Sequence, residues 1–186
     1  MIEPLTTKRL TLRPWQPDEA DAVLEMYSRW EVMRYLGANP QVLTDLDQAR
    51  ARIAGWLSYT GPLHGVWAIR LDDRPIGTAL LKLLPRSGSG VPSDDTEVGW
   101  HLHPDFWGHG YATEAAARLL DHAWAQGLHR VLAVTYPQNT ASQAVCLRLG
   151  MTPLGPTDDY YDLTSSLFEI TAPASPAALR SPANQA

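Results

Sequence analysis

Residues 96–115 have the sequence TEVGWHLHPDFWGHGYATEA, in which an alternating segment is followed by a glycine-bearing turn and a run of small apolar residues. Val98, Trp100 and Leu102 recur at every second position, which is the period of a β-strand. After the turn, apolar residues recur at helical spacing as far as Gly127, a typical helix stop. The second half of the chain is therefore predicted to be built around a strand that leads through a tight turn into a helix.

The polar face of this predicted strand carries the first chemically interesting group of side chains. Glu97, Gly99, His101 and His103 point to the face opposite the apolar residues. A carboxylate and two imidazoles are thus expected to share one side of the sheet.

The remainder of the chain alternates between strand and helix patterns. We predict strands at 8–15, 66–71, 75–84, 129–135, 151–154 and 166–171, and helices from Asp18, after Thr44 or Asp45, and over 140–149. The segment 85–95, rich in Pro, Gly, Ser and Asp, is expected to be an exposed loop. The prediction is one mixed α and β domain over residues 1–171, followed by a disordered tail at 172–186 that is rich in Ala, Pro and Ser.

Composition limits the classes of partner. The formal net charge is −5 and there is no long run of Lys or Arg, so nucleic acid and anionic membranes are not expected partners, whereas a cationic, amine-bearing molecule is. No window approaches the roughly 18 apolar residues of a membrane span, so we expect a cytoplasmic protein. Exposed strand edges allow a homodimer as well as a monomer. The single cysteine, Cys146, lies in a helical pattern and is interpreted as a small buried hydrophobe.

The turn and helix start at 107–115 form a candidate phosphate-binding loop. The first backbone N–H groups of a helix have no intrahelical partners and carry a partial positive charge, so they bind a diphosphate where small residues allow it to approach. Gly108, Gly110 and Ala112 are small enough for that purpose. The alternative is a tight turn whose glycines only satisfy backbone geometry. No Gly-Lys-Ser/Thr follows the loop and no Gly-x-Gly-x-x-Gly occurs, which makes nucleoside triphosphate and dinucleotide sites improbable.

The sequence at 107–115, together with Asn139 to Ser142 and the later Leu149 to Met151, resembles the GNAT superfamily of N-acetyltransferases. Within it, the sequence is similar to the branch that contains the ribosomal-protein alanine and serine N-acetyltransferases. The resemblance covers residues 5–171 and implies a mixed, mostly antiparallel sheet of about six to seven strands flanked by about four helices. Trp107 departs from the general pattern, which has Gln or Arg there, and so removes one side-chain contact to phosphate.

The resemblance implies acetyl-CoA as co-substrate and a set of residues that bind it. The pyrophosphate is expected on the loop, at Trp107, Gly108, His109, Gly110, Tyr111, Ala112 and Thr113. Backbone N–H groups near Leu102 are expected to bind the pantetheine arm, which requires the strand to open locally, and Gly99 is a candidate position for a bulge. Asn139 is expected to contact the cofactor, to cap the following helix, or both.

The catalytic assignments are hypotheses. Glu97 is the candidate general base, against the alternative of a solvated or ion-paired glutamate. His101 is either a second candidate base or a residue that orients the substrate. Ser142 matches the branch position proposed to protonate the departing sulfur, against the alternative of an ordinary first-turn serine. Tyr160 and Tyr161 lie in a segment that the sequence does not place.

The expected reaction is direct transfer of an acetyl group to a primary amine, in a protein N-terminus or a small molecule. Tyr27, Trp30 and Tyr35 are candidates for the acceptor side of the cleft. His101 and His103 lack a clear third ligand, so no metal is expected. The alternative function is an inactive protein of the same fold that binds or senses acyl-CoA.

Overall fold

The computed structural model describes residues 3–59 and 61–174. The described chain forms eight strands and five helices. The strands are β1 (Leu5–Thr6), β2 (Leu10–Pro14), β3 (Gly65–Leu71), β4 (Arg74–Pro85), β5 (Pro92–Leu102), β6 (Arg130–Thr135), β7 (Thr152–Thr157) and β8 (Ser165–Thr171). The helices are α1 (Ala20–Tyr27), α2 (Trp30–Met33), α3 (Leu46–Leu57), α4 (Tyr111–Ala125) and α5 (Thr140–Arg148). The predicted mixed fold is confirmed, and the elements beyond the expected number include the two-residue β1 and the four-residue α2.

All eight strands belong to one sheet, with the order β1-β2-β3-β4-β5-β6-β8-β7. Every neighbouring pair is antiparallel except β5 and β6, which run parallel. The parallel pair has one register pair, Glu97 with Leu132, whereas β4 and β5 are paired along most of their length. β5 and β6 therefore separate beyond that point, where residues 98–102 and 133–135 line a gap that is available to a ligand.

Helices cover both faces of the sheet. One cluster joins Trp67, Leu81 and Val98 to the apolar stripe of α4, including Leu119, which is fully buried. A second cluster joins alternate strand positions to α1 and α3, and its members include Trp15, Tyr27, Ile53, Val66 and Leu80. Because successive residues of a strand point to opposite faces, the two clusters lie on opposite sides of the sheet. Glu97, which pairs with Lys82, projects from the face of α1 and α3.

The prediction of an exposed loop over residues 85–95 is wrong for its second half. Residues 92–95 begin β5, and Ser93 is buried. Pro92 is tolerated as the first residue of a strand, where no ladder hydrogen bond from its nitrogen is needed. The carboxylate of Asp95 is bound by Arg130 at 3.0 Å and by the Tyr160 hydroxyl at 2.7 Å. Contacts with Arg130 and Tyr160 thus stabilise residues 92–95 as a strand, although their composition is typical of loops.

The predicted bulge at Gly99 is also wrong. The register between β4 and β5 is continuous through Leu80 and Gly99, and its shift lies instead between Leu83 and Pro85. A Cβ atom on Gly99 would lie 3.0 Å from Cδ1 of Leu80, so the glycine makes room for that side chain. The strand edge is exposed by the divergence of β6 and not by a bulge.

Two further predictions concern the helix around Cys146 and the C-terminal segment. Cys146 is fully buried in α5, as expected for a small hydrophobe. The N–H of Ala172 donates to the carbonyl of His129, which continues the pairing one residue beyond β8. Residues 175–186 of the predicted tail lie outside the described residues. No helix within residues 3–59 and 61–174 has the length and apolar character needed to cross a bilayer.

Candidate active site

A cleft of about 750 Å³ occupies the gap between β5 and β6. The loop before α4, the start of α5, α2 and the β7–β8 connection complete its walls. Residues predicted for the site that line it are Glu97, His101, Leu102, Trp107, Gly108, Gly110, Tyr111, Ala112, Thr113, Asn139, Ser142 and Tyr35. Residues predicted for the site from separate segments of the sequence therefore lie around one cavity.

The C-terminal part of β5 presents backbone groups to this gap. The N–H of His103 donates to the carbonyl of Ile76 on the β4 side over 2.9 Å. Backbone groups of successive residues in an antiparallel strand point in opposite directions, so the N–H of Leu102 points away from β4 and toward β6. Its position is the one expected for an amide that binds an extended ligand arm.

The loop before α4 has the backbone conformation of an anion site. Gly108 and Gly110 have φ values of 81° and 79°, in the left-handed region that glycine adopts without steric cost. Gly110 is the N-cap of α4, and its carbonyl accepts the first helical bond, from Glu114. The preceding first-turn amides, those of residues 111–113, are the ones that a helix leaves without intrahelical acceptors. The positive end of the α4 dipole therefore faces the cleft.

Two residues of the cleft wall have buried hydroxyl groups without hydrogen-bond partners among the described residues. Oγ1 of Thr113 and Oγ1 of Thr135 are both inaccessible to water and have no hydrogen-bond partner among the described residues. Both residues line the cleft. An unpaired buried hydroxyl costs free energy, so each of these two atoms lacks a partner that the described residues do not supply.

The turn before β2 holds the candidate phosphate loop in place. The Arg9 guanidinium donates to the carbonyl of His109 at 3.0 Å and lies 4.5 Å from the ring centroid of Tyr111. Glu114, in the first turn of α4, accepts from Arg9 and from the Thr7 hydroxyl at 2.6 Å each. These hydrogen bonds lower the pKa of Glu114 against the opposing effect of its partial burial, so its charge is kept.

Trp107 braces the same loop from the other side. Its indole Nε1 donates to the carbonyl of Leu102 over 2.9 Å, although the side chain is 46% exposed. The indole N–H is thus used for an internal bond between loop and strand. Trp107 lines the cleft as predicted.

Glu97 lies deep in the cleft and is 6% exposed. The Tyr161 hydroxyl donates to its Oε1, and Nζ of Lys82 lies 3.4 Å from the same oxygen. Burial raises the pKa of Glu97, and the Lys82 ammonium and the Tyr161 hydroxyl counteract part of that rise. Of the two interpretations offered by the sequence, an ion-paired glutamate is observed, in a position that also suits a base.

His101 is held in one orientation by a buried chain of hydrogen bonds. Its Nδ1 lies 2.9 Å from Oη of Tyr27, which donates to Oγ1 of Thr78 over 2.9 Å. Burial, with a smaller contribution from Arg52 and Lys82, lowers the pKa of His101 to about 3. The imidazole is therefore neutral near pH 7 and is a weak base, which favours the interpretation of a substrate-orienting residue.

Asn139 and Ser142 lie together at the start of α5. Oδ1 of Asn139 accepts from the N–H of Ser142 at 3.2 Å, which is the predicted N-cap. This bond uses the carbonyl oxygen of the Asn139 amide, while the residue lines the cleft. Ser142 lines the same wall.

A pair of tyrosines connects the two sides of the cleft. Tyr136 donates to the carbonyl of Gly37 at 2.6 Å, and Tyr35 donates to the carbonyl of Gln138 at 3.4 Å. Their ring centroids are 5.6 Å apart. The segment after α2 is thereby bonded to the segment before α5, so Tyr35 is placed at the cleft as predicted.

Three predicted site residues are not in the cleft wall. Tyr27 is fully buried beneath His101, Trp30 is 55% exposed at the start of α2, and the exposed His109 has its ring centroid 5.6 Å from that of Tyr111. Sequence reasoning missed Lys82 and Tyr161, which contact Glu97. The sequence predicted β4 and β5 as strands but gave no signal for which residue of β4 lies opposite Glu97.

A sheet of this order, in which β5 and β6 separate and a glycine loop and a helix start lie at the gap, is the fold of the GNAT acetyltransferases. The sequence agrees, since residues 9–152 match the acetyltransferase (GNAT) domain family, and the chain belongs to that family.

Relatives and solved structures extend the match to nearly the whole chain. The chain is 30% identical over 173 residues to an uncharacterized N-acetyltransferase, p20, of Bacillus licheniformis, which covers 91% of this chain and 93% of the relative. The fold of this chain is similar to that of RimL, a ribosomal L7/L12 alpha-N-protein acetyltransferase solved with coenzyme A. The TM-score is 0.74 at 19% identity, and the match covers 91% of this chain and 98% of RimL. RimJ of Mycobacterium smegmatis, solved with CoA-disulfide, gives 22% identity and a TM-score of 0.69, over 91% and 86%.

No three His, Cys, Asp or Glu side chains of the described residues gather closely enough to bind a metal ion.

Proposed function

We propose that this protein transfers an acetyl group from acetyl-CoA to a primary amine by direct attack within a ternary complex. The observation that carries the proposal is that the positive end of α4 and the buried carboxylate of Glu97 open into the same cleft. The first can bind a diphosphate and the second can accept a proton. Together they meet two requirements of amide formation from a CoA thioester.

The residues present fit coenzyme A. The pyrophosphate would be held by amides at the start of α4, near Gly110. The extended arm would lie along β5, where the N–H of Leu102 points into the gap. Acetyl-CoA, when bound, supplies the acetyl group in an activated form, as a thioester.

Glu97 is proposed as the general base. An amine attacks only when its nitrogen is uncharged, so an ammonium group must first lose a proton. Burial raises the pKa of Glu97 toward the working pH, which makes its ionised form a better base than an ordinary surface glutamate. His101, neutral and fixed by Tyr27, is proposed to orient the acceptor.

Asn139 and Ser142 are proposed to act at the sulfur end of the site. The amide nitrogen of Asn139 remains for the cofactor or an ordered water, because the oxygen of this side chain already accepts from Ser142. The Ser142 hydroxyl is the proposed donor to the departing thiolate. Many members of the superfamily use a tyrosine on this helix, whereas α5 of this chain contains none.

Direct attack is favoured over a covalent acyl-enzyme. Cys146 is the only thiol of the chain, and it is fully buried. Burial raises the pKa of its thiol to about 12, so little thiolate forms near pH 7. The residue is neither accessible nor ionised as a nucleophile requires.

The acceptor is proposed to be a protein N-terminus or a small amine, presented past Tyr35 and the end of α2. The name of RimL specifies the alpha-amino group of a protein, and that of another relative, the FsC-acetyl coenzyme A-N(2)-transacetylase of Aspergillus fumigatus, specifies transfer to an N(2) nitrogen. This second relative is 29% identical over 164 residues, which are 85% of this chain and 68% of the relative. Both acceptor types belong in the first screen.

The proposal is tested by measuring free-thiol release from acetyl-CoA with a panel of amines. The panel includes peptides that begin with Ala or Ser, polyamines, an aminoglycoside and free amino acids, and a reaction without amine measures background hydrolysis. Amine-dependent thiol release is expected for at least one member. Binding of acetyl-CoA by calorimetry with no release for any amine would instead support the alternative of an acyl-CoA sensor.

A further inference from the structure

The two partners of Glu97 bind the same carboxylate oxygen, Oε1. The Tyr161 hydroxyl donates to Oε1, and the nearest approach of the Lys82 ammonium, at 3.4 Å, is also to Oε1. Lys82 is directly opposite Glu97 in the β4–β5 register, so its position is set by the sheet. Its Nζ also lies 5.1 Å from the ring centroid of Tyr161.

Tyr161 is held over Glu97 in an unusual backbone conformation. Its φ is 64°, and that of Asp162 is 55°, in the left-handed region that residues other than glycine rarely adopt. Such conformations are costly, and they persist where contacts with the surroundings maintain them. Here the β7–β8 segment is bonded to the β4–β5 turn: Oδ1 of Asp162 accepts from the N–H of Gly88 at 2.6 Å, and its N–H donates to the Ser87 hydroxyl at 3.0 Å. The conformation is thus maintained by contacts with a second segment.

We propose that Lys82 and Tyr161 are positioning residues for Glu97: they hold Oε1 and so assign Oε2 as the atom that takes the proton from the acceptor amine. This inference rests on the proposed role of Glu97 as base. In the step itself, an N–H bond of the ammonium group breaks and an O–H bond forms at Oε2. The electron pair of the broken bond stays on nitrogen, where it is available for attack on the thioester carbon.

The groups that face Glu97 are few and differ in character. β4 supplies the Lys82 ammonium, and the β7–β8 segment supplies the Tyr161 hydroxyl, which itself lies close to Tyr59. β5 supplies the neutral imidazole of His101. β6 supplies the buried Leu132, the apolar residue paired with Glu97. Lys82 is thus the cation in contact with the carboxylate, and both of its polar partners favour the ionised form.

The test is a direct titration of the Glu97 carboxyl group by carbon-13 NMR in protein labelled at glutamate, with the resonance assigned by its loss in Glu97→Gln. The midpoint is expected to move to higher pH in Lys82→Met, because a cation is removed, and in Tyr161→Phe, because a hydrogen bond to the carboxylate is removed. Lys82→Arg should restore a midpoint near that of the wild type. Tyr160→Phe is the matched control, since that hydroxyl is one residue away but bonds to Asp95.

Turnover measured on the same proteins separates this inference from the proposed function. Lys82→Met and Tyr161→Phe should shift the acid limb of kcat/KM in the direction of the NMR midpoint and lower kcat, while the KM for acetyl-CoA stays unchanged. A titration unaltered by both substitutions would overturn the inference, whatever the turnover. If the wild type releases no thiol with any amine, the proposed function and the assignment of Oε2 fail, and the titration still decides whether Lys82 and Tyr161 control the carboxylate.

Discussion

Nε of Arg9 lies 2.6 Å from Oε2 of Glu114, a contact between residues that are 105 positions apart in the sequence. The same guanidinium reaches the carbonyl of His109 and stacks on the ring of Tyr111, so one side chain binds both the glycine loop and the first turn of α4. Its charge is paired with that of Glu114, so Arg9 acts on the helix start through these contacts and not as a free cation. Arg9 therefore connects the first strands of the chain with the proposed coenzyme site.

Replacing Arg9 should weaken coenzyme binding. Arg9→Gln removes a charge-assisted pair and the bond to the loop carbonyl, and it should raise the Kd of CoA by roughly tenfold. Isothermal titration calorimetry checks this expectation. Arg50→Gln, in an exposed pair with Asp47 on α3, is the matched control and should leave the Kd unchanged. Equal affinities for the two variants would contradict the role assigned to Arg9.

Gly110 should resist substitution because of its backbone conformation. In Gly110→Ala the side chain must adopt a positive φ, which costs about 1 kcal/mol of folding free energy and distorts the loop that faces the ligand. Gly55→Ala, in the interior of α3 with open space around it, should instead stabilise the protein by about 0.5–1 kcal/mol. Thermal unfolding and CoA calorimetry on both variants provide the comparison, and a loss of affinity is expected only for Gly110→Ala.

The acid limb of the pH–rate profile should belong to Glu97 and not to His101. The base must be ionised, so kcat/KM should fall as the pH decreases through the raised pKa of Glu97. Glu97→Gln should lower kcat by about 10²- to 10⁴-fold with little change in the Kd of acetyl-CoA. Unchanged turnover would remove Glu97 from the mechanism.

His101→Asn provides the complementary measurement. Because the pKa of His101 is about 3, its protonation does not occur in the range where the limb is expected. The limb should remain at its wild-type position in this variant, although the KM for the amine should rise. A limb that disappears with His101 would identify that residue as the base.

Cys146 should be dispensable for catalysis. Its thiol is buried and protonated, and it packs as a small hydrophobe in α5. Cys146→Ala should therefore retain kcat within about twofold, with a small loss of stability from the missing sulfur. Mass spectrometry after incubation with acetyl-CoA should detect no acetylated form of the wild type. An acetyl group on Cys146, together with an inactive alanine variant, would support a covalent mechanism.

The parts of the site that the sequence predicts are those governed by local chemistry. The loop before α4 could be recognised because the glycines, the helix stripe and the helix start are contiguous in the chain. Asn139 as a helix cap is predictable for the same reason. The general fold follows from the order of strand and helix patterns.

The parts that the sequence did not predict depend on register and on tertiary contacts. Lys82 lies opposite Glu97 because β4 and β5 pair in one particular register. The composition of the turn at residues 86–91 does not specify that register. Tyr161 belongs to a segment without periodicity, and its position depends on bonds between Asp162 and the distant β4–β5 turn. Tyr27 shows the opposite error, since its helical position suggested a cleft residue, whereas its hydroxyl is used to support His101 from beneath.

The single register pair of Glu97 with Leu132 leaves the facing edges of β5 and β6 without backbone pairing along the cleft. Coenzyme A carries amide linkages in its arm, and a chain of that kind laid beside β5 would act as a transient ninth strand. Saturation with CoA should then slow amide exchange along β5, because the bound arm would accept hydrogen bonds from the edge that faces the cleft. The enzyme's own substrate would in this way complete its architecture.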